Sequence, residues 1–216
     1  LRAGNVLPLE TGEPLIFASF IAITLFLEEI TLYGMIHKSI HGMVVEHLGE
    51  EGWQKIAKQA EVDEQHLLSM ESYDDHIVYD LVEAAADCMN LKPDQILEDF
   101  GRHFVNQTLS NNYQNLLKSY GQTSFELLDN LNKLHTSIKT TFTGYRPPAF
   151  TVRYIMSDEI DLFYESERIG LSPFVRGLLA GIADLYGETL VIAFEEKTDV
   201  PEGEQTLFRV VREIPK

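Results

Sequence analysis

Two adjacent prolines, Pro147 and Pro148, divide this chain into halves that cannot share one kind of secondary structure. Proline offers no backbone N–H and pushes the residue before it out of helical dihedrals, so no helix runs through Arg146-Pro147-Pro148. Upstream, apolar residues recur with helical spacing. Leu32 to Leu48 carries Ile36, Ile40, Met43 and Val44 on one face and stops at Gly49. Gly52 to Ala60 is a short helix holding the only tryptophan, Trp53, and His76 to Met89 is built of good helix formers. Pro93 sits in the first turn of a helix running to about Thr108, where Ser110-Asn111-Asn112 breaks it before a short helix from Tyr113 to Tyr120. A long helix follows, opened by a Thr123/Glu126 capping box and ended by Gly144. Downstream the pattern alternates. Phe150 to Met156 and Ile160 to Arg168 read as strands around a Ser157-Asp158-Glu159 turn. Ser172 as N-cap and Pro173 open a helix lined by Phe174, Leu178, Ile182 and Leu185 and stopped at Gly187. Strands Thr189 to Phe194 and Thr206 to Arg212 flank an acidic loop around Pro201 and Gly203. This order predicts an α+β fold: a helical N-terminal lobe, then a C-terminal lobe with a four-stranded antiparallel sheet and packed helices.

The chain is long enough, at 216 residues and 44% hydrophobic, to bury a substantial core. A net charge of −17 argues against nucleic acid or an anionic membrane as the main partner. Cys88 is the only cysteine, which rules out an intramolecular disulfide and any multi-cysteine zinc or iron–sulfur site and suits a cytoplasmic protein. Leu15 to Leu27 is an uninterrupted apolar run, shorter than the ~20 residues a membrane span needs. Its readings are a buried or partner-binding helix, a segment outside the native fold, or a membrane anchor.

Two stretches carry residues suited to chemistry. In the long helix, Leu128, Leu131, His135, Ile138 and Phe142 share one apolar stripe. An imidazole there is either a core histidine satisfied by backbone groups or an axial ligand to a haem iron, for which an apolar wall and one ring nitrogen are the requirements. The second stretch is Tyr164-Glu165-Ser166-Glu167-Arg168. On a strand, a period of two places Tyr164, Ser166 and Arg168 on one face and both glutamates on the other. Three donors without a competing acid make a carboxylate or phosphate receptor; the plainer reading is a solvated strand with a cross-strand ion pair. Haem would satisfy both stretches with one ligand, its iron on the histidine and its two propionates on the triplet.

The Tyr-x-Ser-x-Arg triplet, the histidine in NLNKLH and the RPPAF turn between them resemble the haem nitric oxide/oxygen-binding (H-NOX) family. That family includes the haem domain of the soluble guanylate cyclase beta subunit and stand-alone bacterial sensors. LYGMIHKSI is similar to the family's first helix and DFGRHFV to a distal one, so the likeness spans about Leu32 to Arg212. It implies iron protoporphyrin IX (heme b) buried between the two lobes, with His135 as proximal iron ligand. By the same resemblance Tyr164, Ser166 and Arg168 clamp the propionates and Pro148 presses on the porphyrin. Ile36, Ile40, Phe104 and Phe174 contribute to the distal wall, with Leu131 and Leu178 also lining the cofactor. The oxygen-binding branch carries a distal tyrosine where this chain has Phe174, and a tryptophan near the position of Ile40. The family normally begins with methionine at the position of Leu32, which makes residues 1–31 an extension to a domain spanning 32–216.

The function implied is a gas sensor and not an enzyme: ferrous haem binds nitric oxide, or carbon monoxide, the iron–histidine bond weakens, and the lobes shift. The signal then passes in trans to a histidine kinase or a cyclic-di-nucleotide signalling enzyme. An oxygen-binding haem protein or haem enzyme is the competing reading, and a carboxylate-binding module without haem is the third. Of the other histidines, His37 and His41 have zinc-compatible i, i+4 spacing but lack the glutamate of a metalloprotease motif. His47 and His66 carry less signal. His103, beside Phe104, is expected to face outward, with the distal side as the alternative.

Overall fold

The computed structural model describes residues 32–62, 76–141, 146–201 and 203–213, with the side chains of 32–35, 141 and 199 excepted. The apolar run Leu15 to Leu27, the extension 1–31, His66, Phe142 and the Gly144 helix stop lie outside the described residues.

Helix α1 (Leu32–Gln59) is two helices joined at Gly49, whose φ of 70° and ψ of 179° leave helical space, as the sequence predicts. Helices α2 (His76–Met89) and α3 (Pro93–His103) follow at the expected places. The predicted break at Ser110-Asn111-Asn112 is corrected. The chain runs from α3 through a π-helical stretch, Phe104–Leu109, directly into α4 (Ser110–Tyr120). Asn111 and Asn112 bond back to the carbonyls of Gln107 and Thr108 at 2.7 and 2.9 Å, so their side chains decorate the helix without ending it. The distortion falls instead at Tyr113 (φ −131°). Helix α5 (Ser124–Thr141) begins where the Thr123 hydroxyl accepts the Glu126 N–H; Glu126 returns its carboxylate to Gln122 N–H rather than to Thr123.

After the prolines come β1 (Ala149–Met156), β2 (Glu159–Ser166), α6 (Ser172–Tyr186), β3 (Thr189–Val200) and β4 (Gly203–Glu213). The strands form one antiparallel sheet in the order β1-β2-β4-β3. Strands β3 and β4 run as far as the Val200–Gly203 pair, longer than their sequence pattern indicates, because acidic residues such as Glu195, Glu196 and Glu204 are part of the ladder. Gly187 ends α6 in the left-handed conformation (φ 64°), as expected. Ser172 is not the N-cap: Leu171 holds that place, and the Ser172 side chain is buried against β4.

Two cores result. One gathers Ile40, Val44, Trp53, Ile56, Leu81 and Phe100 from α1, α2 and α3. The other gathers Leu127, Leu128, Leu134, Phe150, Leu162, Leu179 and Phe208, so α5 and α6 belong to the sheet lobe. Leu171 packs against both. The lobes meet where α3 crosses α6. A Cβ on Gly177 would stand 1.9 Å from the Glu98 carbonyl oxygen, and one on Gly101 2.2 Å from that of Phe174. Arg102 to Asp184 and Arg176 to Glu98 tie the same two helices on their outer sides.

Candidate functional site

The most buried stripe of α5 is Leu127, Leu128 and Leu134; His135 sits at its edge, half-buried, one step round the helix toward β1. Its Nδ1 lies 3.3 Å from the Pro148 carbonyl oxygen, and its ring is 5.9 Å from Phe150. Burial pushes the imidazole below its ordinary value, opposed by the bond to Pro148, so the ring is neutral near pH 7. With Nδ1–H donating to a carbonyl, Nε2 is the nitrogen that keeps a lone pair for a metal.

The register between α5 and the proline turn is set one helical turn earlier. Asn132 accepts the Phe150 N–H at 2.9 Å and donates to the Phe150 carbonyl oxygen, a side-chain amide acting as a strand partner. Asn132 and His135 thus grip successive peptides of the Pro148–Phe150 segment. Sequence reasoning missed Asn132; its place three residues before the histidine was the available signal.

On β2, Tyr164 and Ser166 are buried on the core face, 2% and 7% exposed, with their hydroxyls hydrogen-bonded to each other. Burial, chiefly, pushes the Tyr164 phenol up to about 12, against the Ser166 bond, so it is a donor at neutral pH. Arg168 corrects the expectation: β2 ends at Ser166, and Arg168 lies in the bend that follows. The Ser166 hydroxyl accepts the Arg168 N–H at 3.0 Å, a local bond that competes with the ladder and turns the chain. The guanidinium still returns to the proline turn, donating to the Arg146 carbonyl at 3.0 Å. The absence of a competing acid is also corrected. Glu204 stands opposite Ser166 on β4, fully buried. The sequence hid it in an apparently solvated acidic loop.

Ile36, Ile40, Phe104 and Phe174 all belong to or pack against the first core, whereas Leu131 and Leu178 pack against the second. Phe174 lies 5.0 Å from Phe100 and 6.2 Å from Phe104, ring centre to ring centre, at the α3–α6 crossing. His103 turns neither outward nor into this cluster. Its Nδ1 is 3.4 Å from the Glu46 carboxylate on α1, and its Nε2 would be 3.6 Å from a Cβ on Gly42. His41 packs edge-on to Trp53, 4.8 Å between rings, and His47 bonds the Met43 carbonyl. Among the described residues no cluster of three or more histidine, cysteine or acidic side chains could hold a metal by itself.

A haem fits this donor set. It needs one neutral imidazole nitrogen, a wall of half-buried apolar side chains from both lobes, and donors for two carboxylates. His135, then Ile36, Leu131, Phe174 and Leu178, then Tyr164, Ser166 and Arg168 are of those kinds.

Residues 33–194 match the family model described as Haem-NO-binding. The chain is 24% identical over 174 residues to soluble guanylate cyclase 89Da of Drosophila melanogaster, which covers 80% of this chain and 26% of the cyclase. It is 26% identical over 174 residues to soluble guanylate cyclase gcy-35 of Caenorhabditis elegans, covering 77% and 25%. The chain therefore spans about a quarter of the length of these relatives. Its fold is similar to an unliganded Fe(II) H-NOX protein variant from K. algicida, with a TM-score of 0.73 at 21% identity, covering 85% of this chain and 97% of that one. It is also similar to an oxygen-binding H-NOX domain related to soluble guanylate cyclases, with a TM-score of 0.71 at 18% identity, covering 85% and 96%. Taken with the fold and the donor set, the match over 33–194 identifies the chain as a member of the Haem-NO-binding (H-NOX) family, a haem-binding gas-sensor domain related to those of soluble guanylate cyclases.

Proposed function

We propose that this protein senses nitric oxide through haem b held on His135, and signals to a separate protein. The observation that carries the reading is the His135–Pro148 bond, which fixes a neutral imidazole with its basic nitrogen at Nε2. Bound haem supplies a ferrous iron with a coordination position open to a diatomic gas. The chain's residues do the rest. His135 would ligate the iron through Nε2, and the Pro148 carbonyl would hold that ring in orientation. Tyr164, Ser166 and Arg168 would donate to the propionates. Because Asn132 and His135 both hold the 148–150 segment, a change at the histidine is felt directly by β1 and by the proline turn. The recipient implied by the family resemblance is a histidine kinase or a cyclic-di-nucleotide enzyme.

Arg168→Ala is expected to release haem roughly tenfold faster than wild type, and Ser166→Ala only a few-fold faster. The arginine contributes a charged fork, and a hydrogen bond to a charged group is worth about 1.5–3 kcal/mol. Haem transfer to excess apomyoglobin measures both rates; equal rates in wild type and the Arg168 variant would count against the clamp.

Gas selectivity follows from the opposite wall. Ile36, Ile40, Phe104 and Phe174 have no side-chain donor, and His103 is engaged with Glu46. Bound dioxygen gains from a hydrogen-bond donor, whereas nitric oxide bonds ferrous iron strongly without one. The reduced protein is expected to bind nitric oxide and carbon monoxide and to form no lasting oxygen complex in air. Phe174→Tyr should slow oxygen dissociation by about one to two decades. Absorption spectra of the reduced protein in nitric oxide and in air test this. A long-lived oxy spectrum in wild type would overturn the nitric oxide assignment and favour the oxygen-binding alternative, for which the oxygen-binding H-NOX domain of similar fold is the precedent.

A further inference from the structure

The segment that follows the Tyr164–Ser166 pair carries Arg168 and leads directly into α6, which carries Phe174. A propionate clamp and an apolar wall thus hang on one short connection. Its start is fixed by Ser166, whose hydroxyl accepts the Arg168 N–H. Its end is fixed from β4. Strand β4 opens against Ser166 at Gly203, whose φ of 124° few other residues adopt and whose added Cβ would stand 2.0 Å from the Ser166 carbonyl oxygen. The next residue is Glu204.

Glu204 is 0% exposed and each of its oxygens receives two donors. Oε2 accepts the Gly170 N–H at 2.6 Å and the Lys197 ammonium at 2.7 Å. Oε1 accepts the Ser172 N–H at 3.1 Å and the Ser172 hydroxyl at 2.9 Å. The Thr206 hydroxyl, across from Tyr164, completes the network at 2.7 Å from Ser172 Oγ. The carboxylate thus serves as an N-terminal cap for α6 supplied from another strand, close to Tyr164, whose phenol its charge helps to push up. The neighbouring Ile169 carbonyl accepts the Tyr79 hydroxyl of α2 at 2.9 Å, so the 169–170 peptide is held by the helical lobe on one side and by Glu204 on the other. Burying a charge is costly, and only this full set of donors offsets the cost. A turn that needed closing and nothing more would not require it.

We propose that Glu204 is a positioning residue for the cofactor: its buried carboxylate fixes the 167–171 connection, and so sets both the Arg168 guanidinium and the first turn of α6 with Phe174. The proposal rests on the haem reading above. The competing physical effect is repulsion between Glu204 and the propionates. Lys197 neutralises that charge at 2.7 Å, and geometry is therefore the larger effect.

The test uses the full chain loaded with haem. In Glu204→Gln the amide keeps the volume but cannot accept four donors. Haem transfer to excess apomyoglobin should run about tenfold faster, the loss of one charge-assisted bond. The propionate bending band in resonance Raman should shift, and amide exchange at Gly170 and Ser172 should quicken. Asp161→Asn is the comparator. That carboxylate is equally buried in the same sheet but on the opposite face, bonded to Arg153 and Arg209. It should lose stability while keeping the wild-type Raman band and haem release. Faster amide exchange in Glu204→Gln with wild-type or slower haem release would overturn the proposal, as would an equal effect from Asp161→Asn. Should Glu204→Gln fail to fold, Ser172→Ala removes one donor and should release haem a few-fold faster, with a wild-type rate counting against the idea. A wild-type protein that takes up no haem would show no Soret band at the outset and would remove the haem reading and this proposal together.

Discussion

His135→Gly is expected to leave the protein unable to hold haem through a protein ligand, with binding restored by millimolar imidazole. The largest single effect is assigned here because, among the described residues, no other side chain meets the three conditions His135 meets together: a neutral ring, a second nitrogen satisfied by a fixed carbonyl, and a place at the edge of an apolar stripe. The Pro148 carbonyl is a backbone group and survives the substitution, so free imidazole can donate to it and present its other nitrogen in the same direction. The measurement is the ferrous absorption spectrum with and without imidazole. A normal ferrous spectrum in imidazole-free buffer would sink the axial assignment, and with it the account of the Pro148–Phe150 segment as the first part to feel a change at the metal.

The largest stability effect is expected at the α3–α6 crossing. Gly177→Ala places a methyl 1.9 Å from the Glu98 carbonyl oxygen and 2.9 Å from the Arg102 N, both backbone atoms that cannot rotate aside. The helices must separate, and overpacking of this kind costs about 3 kcal/mol. For a domain of this size the melting temperature should fall by roughly 6–12 °C. Phe174 rides on the same turn of α6 and packs on Phe100 of α3, so this aromatic contact, part of the proposed gas-binding wall, should loosen along with the fold. An unchanged melting temperature would mean that the crossing is softer than its geometry indicates. Gly181→Ala meets the same crossing: its methyl would stand 2.6 Å from Val105 Cβ, an atom fixed to the backbone, and 3.1 Å from the Arg102 carbonyl oxygen.

Both variants show where sequence patterning reaches and where it stops. The helix of His135, the proline turn and the Tyr-x-Ser-x-Arg triplet were legible because each is local: a stripe, a pair of rings without N–H groups, an alternation. Gly177 and Gly101 were not, since a glycine inside a helix pattern reads as a weak propensity until another backbone is seen against it. The break expected at Ser110-Asn111-Asn112 failed for a related reason. Those residues favour turns by bonding local backbone, and here the same bonds are made to the preceding turn of a continuing helix.

The sequence by itself determined the α+β order of elements, the histidine on an apolar face, the Tyr164, Ser166 and Arg168 donors and, by resemblance, the family. These depend on periodicity and on residue type, which the chain carries along its length. Tertiary structure alone decided that β2 stops at Ser166 and delivers Arg168 from a bend, that Asn132 pairs with the Phe150 peptide, that His103 turns to Glu46, and that Glu204 is buried opposite Ser166. The last three are contacts between residues 18 or more positions apart, and the first is a local bond, Arg168 N–H to the Ser166 hydroxyl, that an alternating pattern does not reveal. Glu204 makes the reason plain. A glutamate beside Pro201 and Gly203 is an ordinary solvated turn residue until Gly170, Ser172 and Lys197 are brought round it, and only their four hydrogen bonds make a buried charge in that place cost less than it would in an apolar core.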